Sequence, residues 1–121
     1  MSPKRILVVD DHPDSAATLA EVLKLNGHVA KPVVDPREAI TAAKDFHPDV
    51  AFIDIRMPYI DGLQLAKMFR GEPQLRDVTL VAFTSYNDAK SRAMSFASGF
   101  NAHLAKPIAE SVLNQVIADI T

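Results

Sequence analysis

Polar residues follow four apolar runs of this chain, each at the point where the run stops. They are Asp10 and Asp11 after residues 6–9, Asp54 after residues 50–53, Thr84 and Ser85 after residues 80–83, and Lys106 after residues 102–105. If the runs are parallel strands of one sheet, their carboxyl ends open at the same edge. Carboxylates bind divalent cations, and ammonium groups bind phosphate oxygens. The sequence therefore predicts a combined cation and phosphate site, although 96 residues separate Asp10 from Lys106.

The adjacent carboxylates of Asp10 and Asp11 point to a divalent cation. Two such groups at the end of a buried strand repel each other, and burial raises their pKa values unless a cation joins them. Mg²⁺ suits the pair because it takes one or two carboxylates and completes its shell with water and phosphate oxygens. The alternative is that the pair, with Asp14, only favours the positive end of a following helix. A third strand-end carboxylate, Asp54, favours the cation.

Asp54 is either a third metal ligand or a nucleophile that becomes an aspartyl phosphate. Phosphoryl transfer requires in-line positioning and positive charge around the equatorial oxygens more than covalent help from the protein. A metal ion, the Lys106 ammonium and the Thr84 hydroxyl could each bind one of these oxygens. The set of groups as a whole therefore suits phosphoryl chemistry.

Five successive strand-then-helix units would position these residues. Strands are predicted at residues 5–9, 28–34, 49–53, 78–83 and 102–105, and helices at residues 14–26, 36–46, 62–70, 87–98 and 108–120. Strands that alternate with helices predict parallel βαβ crossovers with helices on both faces of the sheet. The first, third and fourth strands are nearly continuous apolar runs, as expected when both faces are covered.

Pro32 indicates that the second strand lies at an edge of the sheet, because proline cannot donate a ladder hydrogen bond. An edge position for this strand suits the order 2-1-3-4-5, in which the first and third strands flank the ligand-binding crevice. The expected fold is a doubly wound (βα)5 three-layer α/β sandwich with a parallel five-stranded sheet. No linker or repeat interrupts it, so we expect a single domain over residues 1–121.

Composition excludes several classes of protein. The chain is 48% apolar and 23% charged, which is ordinary for a folded domain. It has no cysteine and no room for a secretory signal before the first strand, which fits a cytoplasmic protein. No apolar stretch approaches the roughly 20 residues of a membrane span. A net charge of −2 gives no long-range attraction for nucleic acid. We therefore expect neither membrane insertion nor direct nucleic-acid binding.

The strand-end residues form a combined motif with defined spacing. Its pieces are Asp10 with Asp11, Asp54 with Met57, Pro58 and Gly62 after it, Thr84 with Ser85, and Lys106 with Pro107. There are 44 residues from Asp10 to Asp54, 30 more to Thr84 and 22 more to Lys106. Together these features resemble the receiver domain of two-component response regulators, over essentially the whole chain. Each piece alone would be a weak signal.

The resemblance implies a phosphoacceptor and a metal site. Asp54 would take a phosphoryl group from the phosphohistidine of a histidine kinase or a histidine phosphotransfer protein. Asp11, with Asp10 partly through water, would hold Mg²⁺ (or Mn²⁺), joined by the Asp54 carboxylate and the backbone carbonyl of Arg56. The family is a signalling switch and not an enzyme that acts on other molecules.

The resemblance also implies roles for the fourth and fifth strand ends. Thr84 would close on the phosphoryl group, and Lys106 would pair with Asp54 before phosphorylation and with a phosphoryl oxygen afterwards. A cis Lys106–Pro107 bond is implied and is chemically accessible to an X-Pro bond. His103 matches a switch position that is Tyr or Phe in many receivers. A histidine is shorter and is chargeable near neutral pH, so we expect weaker or pH-sensitive coupling there, unless it is simply a packing residue.

Three further residues would lie around the site: Arg56, Tyr86 and His12. Arg56 and Tyr86 should flank the path of the water that hydrolyses an aspartyl phosphate, so we expect a phosphorylated state that lasts minutes rather than seconds. His12 neighbours the acidic pair and could reach a metal, although an exposed loop histidine is the more common case.

Other families explain the residues less well. A flavodoxin-like nucleotide binder needs a Ser/Thr/Gly-rich phosphate loop after the first strand, where this chain has Asp10 and Asp11. A haloacid-dehalogenase-type phosphatase needs a second aspartate where Arg56 stands. A metal-independent pseudo-receiver that acts only in docking usually lacks the acidic pair or the lysine.

The resemblance assigns the output of the domain to the face of helix 4, strand 5 and helix 5, which includes Lys90, His103 and Gln115. This face would serve homodimerisation or partner docking. The chain ends after the fifth helix, so it is either a stand-alone receiver or part of a hybrid kinase or larger regulator.

Overall fold

Strands and helices alternate along the chain in this computed structural model, which describes residues 3–85 and 89–119. The strands are β1 (Arg5–Val9), β2 (Val29–Val33), β3 (Val50–Ile53), β4 (Thr79–Thr84) and β5 (Ala102–Ala105). The helices are α1 (Pro13–Leu25), α2 (Ala39–Phe46), α3 (Gly62–Gly71), α4 (Ala89–Ser98) and α5 (Glu110–Asp119). Every strand end lies within one residue of its predicted position. Two helices begin later than predicted.

These two helix starts have local explanations. The predicted second helix opens with a 3₁₀ turn, Pro36–Glu38, whose Asp35 cap accepts the Arg37 N–H, and the α-helix follows it. The fifth helix begins at Glu110, two residues later than predicted. Among the described residues its first helical N–H is that of Leu113, which donates to the Ala109 carbonyl at 3.0 Å. The predicted start of α4 falls on residues 87 and 88, which lie outside the described residues.

All strand pairs of the sheet are parallel, in the order β2-β1-β3-β4-β5. Pro32 lies on the edge strand β2, opposite Val8 of β1, as its missing N–H requires. Alternate strand residues enter two separate apolar cores. One core packs against α2 and α3, and the other packs against α1 and α5. The predicted three-layer doubly wound fold is therefore confirmed.

The fourth helix differs from the others in what it buries. The described buried residues of α4 are Ser95 and Ser98, whereas α1 buries Ala16, Ala20 and Leu23. Apolar burial contributes about 25 cal/mol per Å², so α4 is held by less hydrophobic free energy than its neighbours. Polar contacts must therefore contribute much of the free energy with which α4 packs on the rest of the domain.

The start of α3 is tied closely to the end of β3. Asp61 caps the helix by accepting the Gln64 N–H at 2.8 Å, and the Gln64 side chain accepts the Asp61 N–H at 3.1 Å. Gly62 donates its N–H to the Ile55 carbonyl at 2.8 Å. A Cβ on Gly62 would lie 2.7 Å from Ile55 Cα and would overlap the Asp54 carbonyl oxygen. Glycine at this position therefore allows the loop after Asp54 to fold back on its own strand.

Within the described part of the chain, no helix combines the length and the apolar character that crossing a membrane requires.

We expect Gly62→Ala to lower the free energy of unfolding by about 1–3 kcal/mol, the usual cost of forcing extra atoms into a packed site. Gly71→Ala is the matched control, because a Cβ there meets nothing within 4 Å and alanine is favoured over glycine in helices by up to about 1 kcal/mol. Urea denaturation of both variants measures the difference. Equal stability of the two variants would contradict the close approach at Gly62.

Candidate functional site

Lys106 connects three strand ends of the sheet. Its ammonium Nζ donates to Asp10 Oδ2 at 3.0 Å and to Asp54 Oδ2 at 3.0 Å. The two carboxylate side chains are only 0% and 6% exposed. The topology places β1, β3 and β5 so that residues far apart in sequence meet here. The predicted convergence of Asp10, Asp54 and Lys106 is therefore present in the structure.

Burial and hydrogen bonding move the pKa values of the two carboxyls in opposite directions. Burial raises the pKa of Asp54 above its usual 3.8, and the charge of Asp10 adds to this, while Lys106 only partly opposes it. Burial would also raise the pKa of Asp10, but hydrogen bonds from Ser15, the His12 N–H and Lys106 outweigh it and lower this pKa. On acidification a proton therefore goes to Asp54 first.

The ammonium of Lys106 is stabilised in its charged form. Burial alone would lower its pKa, but hydrogen bonds and charge attraction from Asp10 and Asp54 raise it above 10.5. The Phe83 ring lies beneath the ammonium, with Nζ 4.6 Å from the ring centroid. The Lys106–Pro107 bond is cis, as the family resemblance implied. Lys106 is therefore a fixed positive charge at the mouth of the site.

Asp11 adds a carboxylate oxygen whose hydrogen-bonding capacity is not used. Its Oδ1 atom is buried, and no described residue donates a hydrogen bond to it. Buried polar atoms are nearly always satisfied, by protein, water or an ion. Asp10, Asp11, His12 and Asp54 each offer one ligand atom, and these atoms lie within 4.8 Å of one another. The orphaned oxygen and this donor set fit a divalent cation.

The remaining predicted residues occupy the rim. Thr84 is buried at the end of β4, and its carbonyl accepts the Lys106 N–H at 2.9 Å. The Arg56 N–H donates to Asp54 Oδ1 at 3.3 Å, and Arg56 is exposed. Binding of a metal ion by the Arg56 backbone carbonyl stays a prediction. Tyr86 lies outside the described residues.

His103 is buried, with 4% exposure, and its Nδ1 lies 2.9 Å from Ser95 Oγ. Ser95 donates its hydroxyl to the Arg92 carbonyl at 2.8 Å, so the His103 Nδ1 must be protonated to donate to Ser95. The Arg92 guanidinium donates to the His103 carbonyl at 3.3 Å. His103 therefore joins β5 to α4 with its ring buried, as the packing alternative expects, and its role as a switch stays a prediction. Ser95 carries no sequence signal, because its spacing of eight residues before His103 has meaning only in the fold.

In metal-free buffer we expect Asp54 to titrate above 3.8 and Asp10 below it. The folded state then binds the Asp54 proton more tightly than the unfolded chain, so the free energy of unfolding falls as pH rises from 3.8 through the raised pKa. Asp10 acts in the opposite sense: its contribution is present above 3.8 and is lost as pH falls through its lowered pKa. Carboxyl ¹³C NMR titration measures the pKa values of Asp54 and Asp10, and the Asp54→Asn and Asp10→Asn variants assign the two resonances. Titration of Asp10 above Asp54 would contradict this order.

Comparison with known proteins identifies the family of this chain. The family of response regulator receiver domains matches residues 6–118. The transcriptional regulatory protein PrrA of Mycobacterium tuberculosis is 31% identical over 116 residues, which are 96% of this chain and 48% of PrrA. The chain spans about half, or less, of the length of several such curated relatives.

Solved structures show the same architecture. A response regulator from Chloroflexus aurantiacus is 28% identical, with a TM-score of 0.91 and coverage of 98% of both chains. The receiver domain of a sensor histidine kinase from Pseudomonas aeruginosa, with magnesium in its active-site cleft, is 25% identical, with a TM-score of 0.88 and coverage of 98% of this chain and 97% of that one. The family match extends over most of the chain. The chain therefore belongs to the response regulator receiver domains of two-component systems, a family of signalling switches whose general function is phosphorylation of an aspartate by a kinase.

Proposed function

We propose that this chain, as one receiver domain over residues 1–121, accepts a phosphoryl group on Asp54 from the phosphohistidine of a histidine kinase or histidine phosphotransfer protein. The observation that carries the proposal is the Lys106 ammonium held 3.0 Å from both Asp10 and Asp54, beside the orphaned Asp11 oxygen. A purely structural ion pair would not require the third, unsatisfied carboxylate.

The transfer balances with the groups present. A carboxylate oxygen of Asp54 forms a bond to phosphorus, the phosphorus–nitrogen bond of the donor breaks, and the electron pair stays on the donor imidazole. The raised pKa of Asp54 makes its carboxylate a better nucleophile than an ordinary aspartate once it is deprotonated. Lys106 offsets the negative charge that would repel an incoming phosphoryl group. After transfer its ammonium can pair with a phosphoryl oxygen in place of the Asp54 carboxylate.

The residues that would hold the metal are Asp10, Asp11, Asp54 and the carbonyl of Arg56. When bound, Mg²⁺ or Mn²⁺ supplies positive charge that neutralises phosphoryl oxygens. The magnesium in the Pseudomonas aeruginosa receiver supports the same class of ion here. The site contains three carboxylates and one ammonium, so its net negative charge favours a dication.

The change in state would reach α4 through Thr84 and His103. Thr84 follows directly on Phe83, which contacts Lys106, and its carbonyl is bonded to the Lys106 N–H. His103 lies on β5 and contacts α4 through Ser95. Because α4 buries serines rather than large apolar side chains, a change at its polar contacts should move it. The α4–β5–α5 face would then bind a partner or a second copy of the chain.

The rim residues should set the lifetime of the phosphorylated state. Arg56 is exposed beside Asp54, where its long side chain can restrict water, and Tyr86 is proposed to act with it. The expectation of minutes rather than seconds stays a prediction. We also place the protein in the cytoplasm, where phosphohistidine donors of this signalling class act, with no direct role in nucleic-acid binding.

Acetyl phosphate with Mg²⁺ should add one phosphoryl group to the wild-type chain, and beryllofluoride should shift amide resonances around Asp54. Intact-mass and NMR measurements report the two effects. Asp54→Asn should abolish the adduct, and Lys106→Met should retain the fold and weaken the amide changes that propagate from the site. A folded wild-type protein with neither adduct nor shift would leave only a docking module.

Replacing His103 with Tyr should strengthen the coupling between the site and α4. The wild-type response should depend on pH, because the His103 imidazole, which contacts Ser95 of α4, is chargeable near neutral pH, whereas a tyrosine stays neutral near pH 7. The measurement is the beryllofluoride-induced shift of α4 amides in both proteins across pH. Identical shifts at every pH would remove this role for His103. Ser95→Ala is the control for the hydrogen bond alone.

A further inference from the structure

The imidazole of His12 lies against the acidic pair, although its side chain is 70% exposed. Its Nδ1 is 3.3 Å from Asp10 Oδ1 and 3.4 Å from Asp11 Oδ1. This nitrogen belongs to the same group of four potential ligand atoms as the Asp54 carboxylate. The donor set is therefore three carboxylates and one imidazole, and not oxygen alone.

We propose that His12 is a further ligand beside the three carboxylates and the Arg56 carbonyl, and that the site binds divalent ions of the Zn²⁺ and Co²⁺ class as well as Mg²⁺. The inference deepens the proposed function, since it concerns the same carboxylates. Imidazole nitrogen is a preferred ligand of zinc and its neighbours, whereas Mg²⁺ prefers oxygen. His12 therefore shifts the relative affinity of the site toward the transition ions.

The ligand spacing agrees with such an ion. In a tetrahedral centre with bonds of about 2.0–2.2 Å, neighbouring ligand atoms are roughly 3.3–3.6 Å apart. The two distances from His12 Nδ1, 3.3 and 3.4 Å, fall in this range. An octahedral Mg²⁺ with bonds of about 2.0–2.1 Å places adjacent ligands only about 2.8–3.0 Å apart. The two His12 contacts are thus nearer to tetrahedral than to octahedral ligand spacing, while the four ligand atoms as a set lie within 4.8 Å of one another.

The oxygens that the ion needs are distinct from those that Lys106 uses. Lys106 binds Oδ2 of Asp10 and Oδ2 of Asp54. The His12 nitrogen faces Oδ1 of Asp10 and the buried Oδ1 of Asp11, to which no described residue donates. Lysine and ion can therefore occupy the site together, on opposite oxygens of Asp10.

A merely structural role explains the histidine less well. His12 is the N-cap residue of α1, but its side chain makes no capping hydrogen bond. Its backbone N–H already donates to Asp10 Oδ1 at 3.0 Å. The ring contact at 3.3 Å is longer than the usual 2.9–3.0 Å of an N–H···O bond. The loop is thus held by the backbone, and the ring adds a nitrogen donor beside an orphaned oxygen.

The test is a titration of the metal-free chain with Zn²⁺ alone and with Mg²⁺ alone, by calorimetry at one fixed pH. His12→Gln should lower the ratio of Zn²⁺ to Mg²⁺ affinity by about tenfold or more, since loss of even an outer partner of a metal ligand costs that much. His12→Asp, which restores an oxygen donor, should lower the same ratio. His47→Asn is the control, because His47 is an exposed histidine in a left-handed conformation that asparagine tolerates.

Nitrogen NMR of the imidazoles identifies the ligand directly. Substoichiometric Zn²⁺ should shift the Nδ1 resonance of His12 and leave that of His47 in place. An unchanged affinity ratio in His12→Gln, or Zn²⁺ shifts at other histidines only, would overturn the inference. Amide spectra of each variant establish that it is folded.

The two proposals fail separately. Wild-type Mg²⁺ binding and the beryllofluoride adduct at Asp54 test the proposed function. The change in ion preference on replacing His12 tests the role of the imidazole. A wild-type protein that forms the Mg²⁺-dependent adduct but has an ion preference independent of His12 keeps its function as a receiver and loses this inference.

Discussion

One ammonium group between two buried carboxylates organises this molecule. Lys106, directly after β5, reaches Asp10 after β1 and Asp54 after β3, and the order β2-β1-β3-β4-β5 brings these strand ends to one crevice. Asp10, Asp11 and Asp54 bring three negative charges against the one positive charge of Lys106, which leaves two uncompensated. Burial, to which the charge of Asp10 adds, raises the pKa of Asp54, and the Oδ1 of Asp11 accepts no hydrogen bond from the described residues. A dication is the partner that such a shortage favours.

Apolar packing holds most helices against the sheet, whereas polar contacts hold α4. The strands and helices α1, α2, α3 and α5 enclose two apolar cores, which hold the carboxylates in fixed positions. By contrast, α4 is attached through buried serines and the Ser95–His103 hydrogen bond. A hydrogen bond exchanged for another of similar strength changes the free energy little, whereas exposing a core side chain costs about 1.5–3 kcal/mol. Rearrangement after a change at Asp54 is therefore easiest at α4.

Much of the fold was predictable because the strands are covered on both faces. The resulting apolar runs located β1, β3 and β4 to within one residue, and Pro32 located the edge of the sheet. The convergence of Asp10, Asp54 and Lys106 followed from this topology. Contacts between side chains on different elements were not predictable in the same way. Ser95 became a partner of His103 only through the packing of α4 on β5, and the sequence left open whether His103 is a switch or a packing residue. The Asp61–Gln64 capping box was likewise not predicted, and its link to Asp54 depends on the close approach at Gly62.

The division of oxygens in Asp10 explains how one site can accept two kinds of positive charge. Its Oδ2 is bound to Lys106, and its Oδ1 faces the His12 backbone and ring. A carboxylate offers two oxygens with about four acceptor positions in total, so filling one oxygen with an ammonium does not close the other to an ion. Donation from several groups keeps Asp10 ionised, as its lowered pKa reflects, and an ionised carboxylate is the form that binds metal. Hydrogen bonds from Ser15, the His12 N–H and Lys106 therefore keep Asp10 ionised, whereas burial raises the pKa of Asp54, so the two neighbouring carboxyls differ in how tightly they hold a proton.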